Sequence, residues 1–149
     1  MKLLADSMLG RLAKWLRLLG YDTAYFRALP DESLLALARA EGRLVLTRDR
    51  RLVRRRGLRA LYIQSDALPE QVRQVVRDLR LRGVGRAPRC PMCNRELMQV
   101  AKRAIRERVP PYVYRTQSEF SRCPQCERIY WAGTHWERIR AHLRAWEAP

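Results

Sequence analysis

The sequence has little of what a membrane or secreted protein needs. It contains no apolar run of about 18 residues, the length at which a membrane-spanning helix is expected. Asp6 interrupts the short apolar stretch near the N-terminus, which argues against an export signal. We therefore expect a cytosolic protein. A chain of 149 residues has room for one ordinary hydrophobic core and one small further domain.

Acidic residues are scarce as well. The sequence has 15 Asp and Glu but 31 Lys and Arg, so the formal net charge is +16 and the pI is near 11.0. Residues 1–87 carry 19 basic and 9 acidic side chains, and residues 88–149 carry 12 and 6, so the excess is not confined to a tail. This balance favours a polyanionic partner, above all nucleic acid; the alternative is charge that only maintains solubility. Nearly all the basic residues are Arg, which suits phosphate, although a GC-rich or thermophilic source would also enrich Arg.

The first half of the chain alternates short apolar runs with amphipathic segments. Runs of aliphatic, β-branched and aromatic residues predict four strands, and apolar residues spaced by three and four predict helices after them. This alternation predicts an α/β fold with a parallel sheet and helices on both of its faces. The predicted strands are 3–5, 21–26, 44–47 and 58–63, and the helices begin near residues 8, 31, 50 and 69.

An aspartate lies near the carboxyl end of each predicted strand. Asp6, Asp49 and Asp66 follow strands one, three and four, and Asp31 begins the helix after strand two. Because parallel strands point the same way, all four fall on one edge of the sheet, where ligands bind in such folds. Like charges held close are costly unless a cation compensates, so this pattern predicts a magnesium or manganese site. The alternative is that each aspartate only caps a helix.

Two groups of basic side chains flank the predicted acidic edge. The members of one group are three residues apart and share a face of the first helix. The other group adjoins Asp49, which the Thr47 hydroxyl is expected to orient. We predict that both groups hold a phosphate backbone, although a solvated helix face is an equal alternative for the second. The first group is Arg11, Lys14 and Arg17, and the second is Arg48 with the arginine-rich run from Arg50 to Arg56, which includes Arg51.

The four cysteines form two matched pairs, Cys90-x-x-Cys93 and Cys123-x-x-Cys126. Each pair can present two thiolates to one ion, so together they predict a closed, structural zinc site with four cysteine ligands. Disulfides are the main alternative, and a redox-active pair is a weaker one. The residue after each second cysteine often has a left-handed backbone, which Asn94 adopts readily and Glu127 adopts with strain.

The rest of the second half predicts a small, strand-containing unit. A glycine-rich hinge at 83–85 separates a predicted domain 1–85 from a predicted domain 86–149, and strands are predicted at 97–100, 112–114 and 129–131. Aromatic residues there are expected to fill a thin core rather than to stack on bases. Thr134 and Glu137 fit a capping box that opens a C-terminal helix. His135 and His142 could be ligands, but capping or partial burial is the favoured interpretation.

Several of these segments together resemble a known family, the C-terminal RNase-like domain of the Mut-seven family, which is related to PIN nucleases and is fused to a zinc ribbon. The resemblance covers nearly the whole chain. It implies a PIN-like parallel sheet flanked by helices, followed by a small four-cysteine zinc ribbon and a C-terminal helix. The segments are Asp-Ser-Met-Leu-Gly-Arg-Leu-Ala-Lys-Trp-Leu-Arg-Leu-Leu-Gly-Tyr-Asp from residue 6, Pro-Asp-Glu from 30, Leu-Thr-Arg-Asp from 46, Pro-Pro-Tyr-Val-Tyr from 110 and Tyr-Trp-x-Gly-x-His-Trp-Glu-Arg from 130.

The resemblance also implies metal-dependent cleavage of RNA. The acidic residues of the family motif correspond to Asp6 and Asp49 at the strand ends and to Asp31 at the helix start. Glu32 is an alternative at the helix start, and Asp66 corresponds to a fourth acidic residue. The implied chemistry is two-metal hydrolysis of a phosphodiester, with Asp6 and Asp49 holding the ions. A nucleic-acid-binding protein without activity is the rival hypothesis. Only the resemblance favours RNA over DNA, and the oligomeric state is left open.

Overall fold

The computed structural model describes residues 1–81, 87–133 and 141–142. Its first part contains four strands that are all parallel and are ordered β2-β1-β3-β4, which confirms the predicted parallel sheet. The observed strands lie within or close to the predicted runs because each run is short, apolar and bounded by turn residues. They are β1 (Lys2–Ala5), β2 (Asp22–Tyr25), β3 (Leu44–Thr47) and β4 (Ala60–Tyr62).

Helices cover both faces of this sheet. One face packs under α1 and α4, and the other packs under α2 and α3. Alternation along the strands divides the core, because Leu3 and Leu46 point to the first face whereas Leu4 and Val45 point to the second. A short 3-10 turn, Ser7–Leu9, leads into the first helix. The helices are α1 (Gly10–Leu18), α2 (Asp31–Glu41), α3 (Arg50–Val53) and α4 (Leu68–Asp78).

The second part of the chain forms a small antiparallel sheet with strand order β5-β6-β7. A 3-10 helix, Lys102–Arg108, and a short helix, α5 (Pro111–Thr116), lie between its first two strands. Ile105, Val109 and Phe120 are the buried residues of its core. The strands are β5 (Met98–Val100), β6 (Phe120–Arg122) and β7 (Ile129–Trp131).

The prediction of a strand at 112–114 is wrong, since these residues belong to α5. Pro111 occupies the first helical position, where proline is favoured because its missing N–H is not needed there. The aromatic residues also depart from expectation: Tyr112 is 68 % exposed, whereas Phe120 is buried. Strand β6 was not predicted.

Some predictions fall outside the described part of the chain. These are the hinge at 83–85 with the adjoining domain boundary, and the C-terminal helix with its capping box and His135, apart from Ala141 and His142. His142 is exposed. Within the ranges that the structure describes, no helix is both long and apolar enough to cross a membrane.

Candidate functional site

Two aspartates follow the two central strands of the parallel sheet. Asp6 comes directly after β1, and Asp49 lies two residues after the end of β3. Strand β1 is flanked by β2 on one side and by β3 on the other, so the chain order reverses between β1 and β3. In open α/β sheets such a switch point leaves a crevice at the carboxyl ends of the strands. Asp6 and Asp49 therefore lie where this fold accommodates ligands.

The hydroxyl of Thr47 joins the two aspartates. Its Oγ1 donates a hydrogen bond to Oδ2 of Asp6 and accepts one from the backbone N–H of Asp49 at 2.9 Å. The hydroxyl was expected to orient the Asp49 carboxylate, but it bonds the Asp6 carboxylate instead. The reason is the register: Ala5 pairs with Leu46, so Asp6 lies beside Thr47 on the neighbouring strand. Thr47 and Asp6 are both buried, the latter at 7 % exposure.

Each aspartate also closes a turn. Oδ1 of Asp6 accepts a hydrogen bond from the Met8 N–H at 3.0 Å, and Oδ1 of Asp49 accepts one from the Arg51 N–H at 2.9 Å. These are capping contacts, which the alternative interpretation predicts. No hydrogen bond from a described residue reaches Oδ2 of Asp49, and a carboxylate oxygen can accept more than one bond, so both groups retain acceptor capacity.

The turn that holds Asp6 is supported from β2. The hydroxyl of Tyr25 donates to the carbonyl oxygen of Ser7 at 3.0 Å. The ring of Tyr25 lies over Gly10, where an added Cβ would come within 2.8 Å of the tyrosine oxygen. Gly10 therefore allows β2 and the start of α1 to approach closely, and this approach fixes the Asp6 turn.

The other two predicted aspartates, Asp31 and Asp66, do not belong to this arrangement. Asp31 is exposed at the start of α2, and Asp66 is exposed in the loop before α4. Glu32 pairs with Arg55 at 2.6 Å on the surface. Among the described residues, the one group of three or more His, Cys, Asp or Glu whose ligand atoms lie close enough for a single ion consists of cysteines. The structure joins Asp6 to Asp49 through Thr47 but does not gather Asp31 and Asp66 with them.

Most of the predicted phosphate-binding side chains are accessible. Arg11, Lys14 and Arg51 are exposed. Arg48 is partly buried, and its Nη1 donates to the carbonyl oxygen of Ile63 at 3.1 Å, just beyond β4. Arg48 thus links the loop after β3 to the end of β4, while the exposed residues leave positive charge around the carboxyl edge of the sheet.

The prediction that Arg17 shares a substrate-binding face with Arg11 and Lys14 is wrong. Its side chain is buried, with Nε donating to the carbonyl oxygen of Thr23 at 2.8 Å and Nη1 donating to that of Pro91 at 2.7 Å. Burial lowers the pKa of Arg17 below its ordinary value. All three residues lie on α1, as predicted, but the last turn of this helix lies against the cysteine-containing part of the chain and Arg17 is buried there.

The four cysteines form a compact cluster. Their sulfur atoms all lie within 4.8 Å of one another, and all four are free thiols, which excludes the disulfide alternative in this structure. Sγ of Cys90 lies 3.8 Å from Sγ of Cys126. Tetrahedral sulfur ligands about 2.3 Å from one zinc ion would be separated by roughly 3.8 Å. The cluster is therefore positioned to bind a single metal ion.

The backbone around the cluster follows the pattern predicted for two knuckles. Asn94 and Glu127 follow the second cysteine of each pair and have φ values of 65° and 63°. The backbone N–H groups of Gln125 and Cys126 point to Sγ of Cys123 at 3.4 and 3.5 Å. A backbone hydrogen bond from Arg128 lowers the pKa of Cys126 to about 7, whereas burial and the neighbouring sulfur atoms raise the pKa of Cys93, so the first proton leaves the cluster at Cys126.

Sequence reasoning missed how the first knuckle attaches to the parallel sheet. Oδ1 of Asn94 accepts a hydrogen bond from the Thr23 N–H at 3.0 Å, and Nδ2 donates to Asp22 at 2.7 Å. Arg43 donates to the same Asp22 oxygen at 2.8 Å. Burial by itself raises the pKa of Asp22, but the hydrogen bonds from Arg43 and Asn94 outweigh it and lower the pKa. The left-handed preference of Asn94 was visible in the sequence, but its partners on β2 were not.

These contacts define the orientation of the cysteine cluster relative to the aspartates. Asp22 and Thr23 begin β2, and Lys2 pairs with Asp22 at the start of β1. The first knuckle therefore docks near the amino ends of the strands, whereas Asp6 and Asp49 follow their carboxyl ends. The knuckle contacts therefore lie at the end of the parallel sheet opposite to the candidate site.

The fold and the site define a class: a three-layer α/β protein with two aspartates at the switch point of its sheet and a separate four-cysteine cluster. A family model described as the Mut7-C RNAse domain matches residues 1–143, which is nearly the whole chain. The chain belongs to the Mut7-C RNAse domain family. Comparison with curated proteins and with solved structures gave no significant match.

Proposed function

We propose that this protein is a metal-dependent ribonuclease whose reaction takes place at the Asp6–Asp49 edge. The observation that supports this most directly is that the Thr47 hydroxyl bonds the carboxylate of Asp6 and the backbone N–H of Asp49 at the switch point of the sheet, in a chain that belongs to an RNase domain family. The net charge of +16 supports a nucleic acid substrate. RNA is preferred over DNA on the family assignment alone.

In this proposal Asp6 and Asp49 hold the magnesium or manganese ions, and Asp31 and Asp66 are further candidates from the same edge. Carboxylate oxygens are suitable ligands for both cations. When bound, such ions would lower the pKa of a water molecule and stabilise the charge on the leaving oxygen. Thr47 orients Asp6, and the exposed Arg11, Lys14 and Arg51 together with Arg48 hold the phosphate backbone. The outcome of hydrolysis is one broken P–O bond and the addition of one water molecule.

The proposal is tested by RNA cleavage with added manganese or magnesium. Asp6→Asn and Asp49→Asn should each reduce cleavage by at least about 100-fold, because asparagine preserves the capping contact but removes the charge that holds the ion. Asp78→Asn is the matched control, since Asp78 pairs with Arg77 on the surface of α4. Retained cleavage in both test variants would contradict the assigned roles.

Thr47 provides a separate test of positioning. Thr47→Val has nearly the same shape but removes the hydroxyl that bonds Asp6 and Asp49, whereas Thr47→Ser keeps it. We expect the valine variant to require a higher manganese concentration for half-maximal cleavage and the serine variant to restore the parent value. Equal manganese dependence in all three proteins would show that the hydroxyl has only a structural role.

We further propose that the four cysteines hold a structural zinc ion and that the protein consists of a nuclease domain, 1–85, and a zinc ribbon, 86–149, acting in the cytosol. Four thiolate ligands leave no open position, so this ion would not take part in hydrolysis. The first knuckle contacts the start of β2, at the end of the sheet away from Asp6 and Asp49. This placement supports a structural rather than a catalytic role for the ion. Zinc content measured by elemental analysis should be one ion per chain and should fall when Cys90 and Cys123 are replaced by serine.

A non-catalytic nucleic-acid-binding protein is the second candidate. It is favoured by the capping contacts of Asp6 and Asp49, and by the lack of a third carboxylate close to them among the described residues. The two candidates differ in their response to manganese. If saturating manganese changes neither the melting temperature nor the integrity of single-stranded RNA, while RNA still binds, the second candidate is correct.

A further inference from the structure

An open cleft of about 460 Å³ lies beside the carboxyl end of β4. Its size is within the range of small-molecule sites and exceeds what a single nucleobase requires. Its lining combines one aromatic ring, two guanidinium groups, one amide and one aliphatic side chain. The lining residues are Arg50, Val53, Arg54, Tyr62 and Gln64.

The ring of Tyr62 already has a cationic neighbour. The guanidinium carbon of Arg50 lies 5.2 Å from the ring centroid, which is a cation–π distance. Tyr62 is only partly buried, and Arg50 and Arg54 are exposed. In the described ranges neither arginine forms an ion pair, whereas the nearby Arg55 is neutralised by Glu32. The cleft therefore offers planar groups and uncompensated positive charge at one place.

The cleft adjoins the candidate catalytic edge. Tyr62 pairs with Thr47 in the register of β3 and β4, so their backbones are one strand spacing apart, roughly 4.8 Å. Arg50 follows Asp49 directly in the chain. A nucleotide whose phosphate lies at Asp49 would thus have its base, or that of its neighbour, within reach of Tyr62.

We propose that this cleft binds one unpaired base of the RNA, stacked on the Tyr62–Arg50 pair, with Arg54 holding the adjacent phosphate. The proposal rests on the proposed ribonuclease function and adds a substrate class to it: single-stranded RNA. Stacking on aromatic rings and guanidinium planes needs a base with a free face, which a continuous duplex does not offer. The lining has one amide and no buried polar group directed into the cleft, so the site accepts any base rather than one in particular.

The experiment uses the full chain with its zinc retained, in buffer without added magnesium or manganese, so that binding is measured without cleavage. The probe is a short single-stranded RNA in which one adenine is replaced by a fluorescent analogue that is quenched when it stacks. Tyr62→Leu keeps an apolar side chain but removes the aromatic ring, and Tyr62→Phe keeps the ring. Tyr112→Leu is the matched control, because Tyr112 is an exposed tyrosine on α5, in the other part of the chain.

We expect Tyr62→Leu to abolish the quenching and to weaken binding by roughly 5- to 150-fold, the range for loss of one aromatic–base stack. Tyr62→Phe and Tyr112→Leu should bind as the parent does. Arg54→Ala should weaken binding and reduce the slope of log affinity against log salt by about 0.7, the value for one phosphate contact on a single strand. Arg73→Ala, an exposed arginine on α4, should leave that slope unchanged.

The outcomes separate this proposal from the proposed function. If the parent cleaves RNA with manganese but Tyr62→Leu retains full quenching and affinity, the base site is wrong and the nuclease stands. If quenching depends on Tyr62 but no cleavage occurs with manganese, the base site stands and the nuclease is wrong. Equal affinity of the parent for duplex and single-stranded RNA, or equal weakening by Tyr112→Leu, would also overturn the base site.

Discussion

Nη1 of Arg17 donates a hydrogen bond of 2.7 Å to the backbone carbonyl oxygen of Pro91. This contact joins the last turn of α1 to the first cysteine knuckle, 74 residues away in the chain. The same side chain also bonds the carbonyl oxygen of Thr23, so one buried cation connects α1, β2 and the knuckle. Burial lowers the pKa of Arg17, and negative charge on Cys90 and Cys93 would act against this effect and raise it. A metal ion with four thiolate ligands carries a net negative charge, which Arg17 would partly balance.

Arg17→Met should destabilise the protein by about 2–4 kcal/mol, because the buried carbonyl oxygen of Thr23 and the partly buried one of Pro91 lose their charged donor. Arg17→Lys should restore only part of this loss, since an ammonium group lacks the fork that spans the two carbonyls. The measurement is urea unfolding with zinc present. Lys14→Met, an exposed position on the same helix, is the control and should change the free energy of unfolding by less than about 0.5 kcal/mol. An equally small effect at Arg17 would show that its contacts contribute nothing net.

Hydrogen exchange at the Thr23 amide should report on the cysteine cluster. This N–H is bonded to the side chain of Asn94 rather than to the sheet, so its protection depends on how the first knuckle is held. We expect Asn94→Gly, which keeps the left-handed backbone but removes the amide, to accelerate exchange at Thr23 by more than about tenfold. Removal of the zinc ion that we propose for the cysteine cluster should accelerate exchange at Thr23 as well.

The amide of Ile63 is the internal control for that experiment. It donates a hydrogen bond of 2.8 Å to the carbonyl oxygen of Thr47, at the carboxyl end of the sheet and away from the first knuckle. Its exchange should be unaffected by Asn94→Gly. Acceleration at both amides would indicate a global loss of stability, whereas acceleration at neither would show that the contact between Asn94 and Thr23 does not persist in solution.

The ion pair of Asp22 with Arg43 should make stability sensitive to acid in a defined range. The pKa of Asp22 is lower in the folded protein than its ordinary value of 3.8, so its contribution is fully present above the unfolded-state pKa. The contribution is lost as the pH falls through the lower folded-state value. We expect parent and Asp22→Asn to differ by about 1–3 kcal/mol at neutral pH, because the substitution removes the charge but keeps the shape.

The difference between these two proteins isolates Asp22, since acid also protonates the cysteine thiolates in both. Unfolding free energies measured against pH should give a constant gap from neutral pH down to about pH 4, and a shrinking gap below it. A gap that closes at a higher pH would mean that burial outweighs the hydrogen bonds from Arg43 and Asn94.

Relief of backbone strain at Glu127 should stabilise the protein. Its φ of 63° is costly for a residue with a Cβ, and glycine adopts the same conformation freely. Glu127→Gly should therefore raise the free energy of unfolding by about 0.5–1 kcal/mol, as measured by urea unfolding. Gly42→Ala is the converse experiment. Gly42 has a φ of +64°, and nothing lies within 4 Å of an added Cβ, so the alanine variant should be less stable through backbone strain alone. No gain at Glu127 would indicate a compensating contact of its side chain.

Local patterns in the sequence were sufficient for the four strands of the parallel sheet, for the knuckles and for the edge of the sheet at which Asp6 and Asp49 lie. The run Leu44–Thr47 is a strand in the structure, and Asn94 and Glu127 have the left-handed backbone that the knuckles require. These features follow from a few adjacent residues and from the rule that parallel strands share a direction, so no knowledge of distant contacts is needed.

Contacts between segments that are distant in the chain determined which partners the site residues have. The sequence determined that Arg17 lies on a helix with Arg11 and Lys14, but only the packing of the first knuckle against α1 and β2 made it a buried contact. Likewise, the strand ends bring Asp6 and Asp49 to one edge, but the register of β1 and β3 directs the Thr47 hydroxyl to Asp6. The physical reason is that helical and strand periodicity define the face a side chain occupies, whereas its partners depend on which other segment buries that face.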